Sequence, residues 1–143
     1  MSCSCKQYQK SAQQAFSTLA QAYTAEGTIL TFDGVQCTDT GCSISTNSSS
    51  LTINNSGLYY ISATVTSTPT EAAEQVIQLY KNGVALPCAI STDTTVSGSV
   101  ITQSIETVLV LNSCCASQPN ITLRISGAAG TTNFVKVTAF KLA

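Results

Sequence analysis

The chain has 143 residues, only 9% of them charged, and a formal net charge of −1, where an average globular protein carries about 25% charged residues. Six scattered Lys/Arg residues supply no basic stripe for a nucleic acid or an anionic membrane, and the absence of histidine removes Ser-His-Asp, Cys-His and His-ligated metal chemistry. An apolar content of 43% suffices for the core of one domain, so the sequence predicts a compact domain whose polarity resides in 19 serine and 21 threonine hydroxyls.

The opening decapeptide, MSCSCKQYQK, contains Cys3 and Cys5 and lacks the apolar run of about 7–15 residues that a secretory signal requires. No apolar run in the chain approaches the ~18 residues needed to cross a bilayer as a helix. From Gln7 to Tyr23 the sequence is rich in Ala and Gln and free of Gly and Pro, which favours a helix. Tyr8, Ala12, Ala15, Leu19 and Ala22 alternate spacings of four and three, the rhythm of a coiled-coil seam, and Phe16 and Tyr23 widen the stripe. The spacing therefore predicts a helical arm, either a central coiled coil or a helix lying on its own subunit or a neighbour. Gly27 is placed to end it. Residues 1–26 are expected to form this cysteine-containing connector and residues 27–143 the domain.

From Thr28 the period changes to two. The runs Thr28–Phe32, Ser50–Ile53, Leu58–Thr66, Gln75–Lys81, Val84–Ser91, Val100–Leu111, Asn120–Ser126 and Phe134–Leu142 are β-branched or aromatic and separated by turn residues. Strands of this length and spacing predict a sandwich or jelly roll. Asn82-Gly83 marks a hairpin, because both residues tolerate the positive φ of a type I′ turn. In the clearest run, Tyr59, Ile61, Ala63 and Val65 share one face, predicted to be core. Leu58, Tyr60, Ser62 and Thr64 share the other, whose two large apolar groups among hydroxyls suit a partly buried contact surface.

Seven cysteines, an odd number, sit in a chain that begins without a secretory signal. This combination suits a particle assembled inside a cell and released by lysis, such as a virion or an endospore. Cys88, inside an apolar strand, is read as a buried small hydrophobe. Cys37 and Cys42 bracket a short loop and are candidates for a local disulfide. The vicinal pair Cys114 and Cys115 is too constrained to bond internally with ease, so these thiols and those of Cys3 and Cys5 are candidates for inter-subunit bonds. Cys-x-Cys and Cys-Cys do not have zinc-knuckle spacing, although Cys37-x₄-Cys42 comes near it.

Other chemistry is sparse. Gly127-Ala128-Ala129-Gly130 is followed by no Lys-Ser/Thr and opens no helix, so it is not a phosphate loop. Glu71 and Glu74 flank a loop after Pro69 and read as solvated. Asp33, Asp39 and Asp93 form no acidic cluster for calcium. Asn47, Asn54 and Asn120 match the glycosylation pattern by chance in so Asn/Ser/Thr-rich a chain. The expectation is no enzyme, no cofactor and no metal.

Gly57-Leu58-Tyr59-Tyr60-Ile61-Ser62, preceded by Leu51-Thr52-Ile53 and Asn54-Asn55-Ser56, resembles the Gly-x-Tyr-x-Phe/Ile strand of tumour necrosis factor and complement-type globular heads. Gln78-Leu79-Tyr80-Lys81-Asn82-Gly83 resembles the next strand and hairpin, most of all in bacterial heads that tip collagen-like spore-surface filaments. Val137-Thr138-Ala139-Phe140-Lys141-Leu142 is similar to the closing strand. The resemblance covers residues 28–143 and implies an all-β, TNF-like jelly-roll sandwich that forms a parallel homotrimer. It places Tyr60, Ser62, Val137 and Ala139 at the trimer interface, and Tyr59 and Ile61 in the core.

The expected protein is thus a structural subunit whose helical arm, packed through Tyr8, Ala12, Ala15, Phe16, Leu19 and Tyr23, links its trimer to a neighbour. Head-to-tail stacking, with Cys3 or Cys5 bonded to Cys114 or Cys115 of the next trimer, would build an endospore-surface fibre or pilus. An anchor protein on a spore or capsid is a further expected partner. The alternatives are a phage capsid decoration or head-fibre protein, and a trimeric head that binds a receptor or a sugar.

Overall fold

A computed structural model describes residues 11–37, 43–113 and 118–143, residues 36–37 by their backbone alone. Among them are twelve strands: β1 (Ala12–Ser17), β2 (Gln21–Tyr23), β3 (Thr28–Ile29), β4 (Gly34–Cys37), β5 (Ile44–Thr46), β6 (Leu51–Ile53), β7 (Gly57–Pro69), β8 (Glu74–Lys81), β9 (Val84–Thr94), β10 (Ile101–Leu111), β11 (Asn120–Ser126) and β12 (Gly130–Lys141). They form two six-stranded sheets. One has the order β10-β7-β12-β1-β4, with β2 also paired to β12; the other has the order β5-β6-β11-β8-β9, with β3 paired to β11. Every pairing is antiparallel.

The apolar alternation read from the sequence is the reason for the sandwich. Tyr59, Ile61, Ala63 and Val65 are buried on the inner side of β7. They meet Ile77 and Leu79 of β8 and Leu123 and Ile125 of β11, all fully enclosed, in one continuous core. Each fully buried Leu or Ile contributes about 1.5–3 kcal/mol relative to exposure. At Asn82-Gly83, φ angles of 51° and 78° close the β8–β9 hairpin as a primed turn, in agreement with the sequence.

Two expectations are corrected by the fold. No helix occurs among the described residues, and the described part of the segment read as a helical arm, from Ser11 to Tyr23, contains β1 and β2 of the first sheet. Ala15 and Tyr23 are buried in the core, Ala12 and Phe16 lie half-buried on the outer face, and Leu19 is 62% exposed in the β1–β2 connection. The Ala/Gln composition fits a strand here because long-range bonds satisfy the glutamines. Gln13 donates to the Ile44 carbonyl at 2.8 Å and Gln14 to Thr138 Oγ1 at 3.0 Å. Tyr8 lies outside the described residues.

Cys88 is exposed rather than buried. The β8–β9 register shifts between Gln78 and Tyr80, so residues 86–89 bulge opposite Leu79. Pro87 lies in that bulge and has no N–H to continue the ladder. Alternation is lost there, and the residue is exposed although its Sγ lies 3.5 Å from Oγ1 of the buried Thr107.

The sandwich has two distinct ends. At one, the Lys141 amide donates to the Ser11 carbonyl at 2.8 Å, the Leu58 amide to the Ala143 carbonyl at 3.0 Å, and the Ser113 amide to Ser56 Oγ at 2.8 Å. At the other, Gly98 N–H donates to the Pro69 carbonyl at 2.8 Å and Thr70 N–H to the Ala129 carbonyl at 2.9 Å. Cys3, Cys5, Cys42, Cys114 and Cys115 lie outside the described residues, whereas Cys37 ends β4 beside Gln13.

Candidate interaction surface

Two of the large exposed apolar groups, Val108 and Val110, stand beside aromatic side chains on the outer face of the β10-β7-β12-β1-β4 sheet. The registers assemble it row by row. Val108, Tyr60, Phe140 and Ala12 stand opposite one another across four strands, and Val110 and Leu58 lie in the row above, toward the Ser11 end. Val108 and Val110 are 53% and 67% exposed, although both belong to a regular strand. Alternation on a sheet with one solvated face favours polar residues at such positions, so these valines single out this face as a candidate contact surface.

Tyr60 and Phe140 form the centre of this patch. Their ring centroids are 4.8 Å apart with planes tilted by 30°, a geometry worth about 0.5–1.5 kcal/mol beyond the buried area. The Tyr60 hydroxyl donates to Glu106 Oε2 at 2.7 Å. That bond to a carboxylate, followed by burial and the negative charge of Glu106, raises the Tyr60 pKa; a weaker contact with Ser62 opposes it.

Below the apolar rows the face is polar. Glu106, Ser62, Thr138 and Gln14 form one row, and Ser104, Thr64, Lys136 and Phe16 the next. Thr66 and Thr102 hydroxyls share a hydrogen bond at 3.0 Å. The Phe16 ring lies over Gly34, where a Cβ would come within 2.5 Å of the ring Cζ. A shallow open depression along β7 and β10 is lined by Ser62, Thr64, Ser104 and Glu106.

Tyr60 and Ser62, singled out in the sequence, thus stand on this outer face. Val137 and Ala139 do not: they are 2% and 0% exposed and lie opposite Ala63 and Ile61 in the core. The assignment is corrected by one residue. Val135, Val137 and Ala139 alternate inward, and Thr138 and Phe140 take the places beside Ser62 and Tyr60. The sequence reading did not single out Val108, Val110 or Phe140; the signal available was apolar residues at alternate positions on both faces of β10.

Among the described residues, no group of three or more His, Cys, Asp or Glu side chains is placed to hold a metal ion. Glu71 accepts a hydrogen bond from the Ala129 amide at 2.9 Å, which ties down the loop after β7. Arg124 stacks over Tyr80, 5.7 Å from the ring centroid, and donates to the Glu26 carbonyl at 3.3 Å on the opposite sheet.

Two six-stranded antiparallel sheets in this order make an all-β sandwich with a tumour necrosis factor/C1q-like jelly-roll fold. No protein-family model matches the chain, and no curated protein does. Among solved structures it is similar to murine APRIL, with a TM-score of 0.68 and 14% identity over 94% of this chain and 100% of that one. The globular domain of zebrafish complement 1qA gives 0.65 and 13% identity over 93% and 98% of the two chains. PRD1 vertex protein P5 gives 0.61 and 15% identity over 93% and 97%. Identities this low establish the fold alone.

Proposed function

We propose that the chain is a structural subunit that forms a homotrimer through the outer face of the β10-β7-β12-β1-β4 sheet and is then joined to other trimers by disulfides. The observation that carries this reading is the contiguous patch of Val108, Val110, Tyr60 and Phe140, with two valines more than half exposed on a regular strand. An extracellular particle is the setting that suits its cysteine content, and an endospore-surface fibre or pilus is the form we favour.

The polarity of the junction follows from lengths. The described chain starts at Ser11 on the same end of the sandwich as Ser113, which precedes Cys114 and Cys115. Head-to-tail stacking through a Cys3–Cys114 bond would require the tail to span the sandwich, about 40 Å for the thirteen residues of β7. Eight residue steps from Cys3 to Ser11 reach at most about 28 Å. Bonds from Cys3 or Cys5 to Cys114 or Cys115 therefore join like ends, or neighbours within one trimer, and a fibre needs a second contact, at the Gly98 end, to propagate beyond such closed pairs. Higher assembly is expected to collapse to trimers on reduction, and a Cys3→Ser/Cys5→Ser double variant to yield trimers without it. Persistent fibres in that variant by negative-stain microscopy would contradict the cross-linking part of the reading.

A second reading, a trimeric recognition head, draws on the other end. There Val96 and Val100, each 62% exposed, flank the Gly98 turn between β9 and β10. Anchoring on a phage capsid is the remaining structural alternative, and both leave the trimer interface unchanged.

A further inference from the structure

The outer face bears two charges among the described residues, Glu106 on the edge strand β10 and Lys136 on β12. They stand on different strands of the patch, Glu106 at its β10 edge and Lys136 on β12, the strand that also carries Phe140. β7 separates their strands, and Lys136 is one row lower, opposite Thr64 and Phe16, while Glu106 is opposite Ser62. Strand spacing and rise put their Cα atoms about 12 Å apart. No ion pair joins either of them to another described residue. Among the described residues Glu106 receives one hydrogen bond, from Tyr60, which leaves its remaining carboxylate lone pairs without a donor there.

In a closed threefold ring the contact is heterologous, so one side of the face meets the other side of the next copy's face, never itself. The β10 side of one subunit, with Val110, Val108 and Glu106, then faces the β12 and β1 side of its neighbour. Parallel copies about the axis have their rows at equal height. Val108 therefore meets the Phe140 and Ala12 row, and Glu106 meets Thr138 and Gln14, with Lys136 two residues lower, about 6.6 Å along the strand. A lysine side chain bridges that offset.

Resting on the trimer reading above, we infer that Glu106 of one subunit pairs with Lys136 of the next. This cyclic acid–base contact fixes the register and handedness of association, while the valine and aromatic rows supply the burial. A carboxylate sealed under those rows without a cation would oppose association. A lysine on β12 covered without an anion would do the same, so the two charges are useful only together, across copies. The partner this surface fits is consequently a second copy in the parallel arrangement. A two-fold dimer, which would set β10 against β10, would bring the Glu106 carboxylates together and is disfavoured.

Charge reversal separates this inference from the trimer reading itself. Sedimentation equilibrium of the full chain under reducing conditions is compared for wild type, Glu106→Lys, Lys136→Glu and the double reversal. Each single reversal is expected to weaken trimerisation on the order of 100-fold, and the double reversal to restore it to within about tenfold of wild type. Trimers in wild type together with additive losses in the double variant, or single variants that associate as wild type does, overturn the pairing and leave the trimer standing. A wild-type chain that stays monomeric overturns both. Circular dichroism of each variant at the same concentration confirms that the sandwich is folded in all four.

Discussion

The Tyr23 hydroxyl donates to Gln75 Oε1 at 2.6 Å across the gap between the two sheets. Gln75 is wholly buried, and its amide nitrogen bonds in turn to Ser67 Oγ and Gln103 Oε1, each at 2.9 Å. Gln103 Nε2 closes the circuit on the Gln75 carbonyl at 3.0 Å. Tyr23, Ser67 and Gln103 belong to the sheet that bears the patch and Gln75 to the other, so this polar clamp ties the layers together at the Pro69 end. No buried side-chain polar atom among the described residues lacks a partner, which is the condition under which such a network stabilises rather than frustrates a core.

Replacing Gln75 by methionine keeps the volume and strips the clamp. Tyr23, Ser67 and Gln103 would each lose a bond in a site closed to water. We expect a loss of about 3 kcal/mol or more in chemical denaturation, since every orphaned buried group costs about 1–3 kcal/mol. A loss under about 1 kcal/mol would contradict the role given to the network.

Alkaline pH should weaken the fold through two tyrosines. Burial raises the pKa of Tyr23 and Tyr59 above 10.0, opposed by hydrogen bonds with Ser67 and Ser43 respectively. The folded chain keeps these phenolic protons at a pH where the unfolded chain releases them. The unfolded state then binds fewer protons, and stability falls as pH rises. The contribution is complete below about pH 10 and lost as pH climbs through the folded values. Denaturation midpoints should be level from about pH 8 to 10 and decline beyond, less steeply in Tyr59→Phe. An equally steep decline in that variant would contradict the assignment to Tyr59.

Two glycines with positive φ make opposite predictions. A Cβ on Gly127 would stand 1.9 Å from the Glu74 carbonyl oxygen, whereas nothing lies within 4 Å of one on Gly83. Gly127→Ala is expected to cost about 3 kcal/mol or more, from strain plus the clash. Gly83→Ala pays the left-handed backbone penalty alone, about 1–2 kcal/mol. Thermal unfolding of the two variants side by side checks the order.

The domain was legible in the sequence wherever alternation was undisturbed. Each of the eight runs from Thr28 onward contains a strand, although in the first only Thr28–Ile29 is one, and Tyr59, Ile61, Ala63 and Val65 are core as their spacing required. Legibility failed where the stabilising partners are distant. In β1, Ala15 and Ser17 fill narrow inner positions, and Gln13 and Gln14 bond to residues 31 and 124 positions away, so the local pattern mimicked a heptad. A strand of three or four residues, such as β4 or β5, leaves too little pattern to read. The face of Val137 and Ala139 was misassigned because register, which decides it, is a property of the pair with β7 and not of β12 alone. Cys88 was misread for a related reason, although Pro87 beside it was a local sign of a bulge.

Coverage of the outer face by other copies would show in the mass of the reduced 143-residue chain in solution. Sedimentation equilibrium of the wild type is predicted to give three times the chain mass of 14.9 kDa. Val108→Glu, which places a carboxylate in the apolar row beside Tyr60, should give the single-chain mass with the β-sheet spectrum retained. A wild type that sediments at 14.9 kDa at every concentration, or a Val108→Glu variant that remains trimeric, would contradict the central claim.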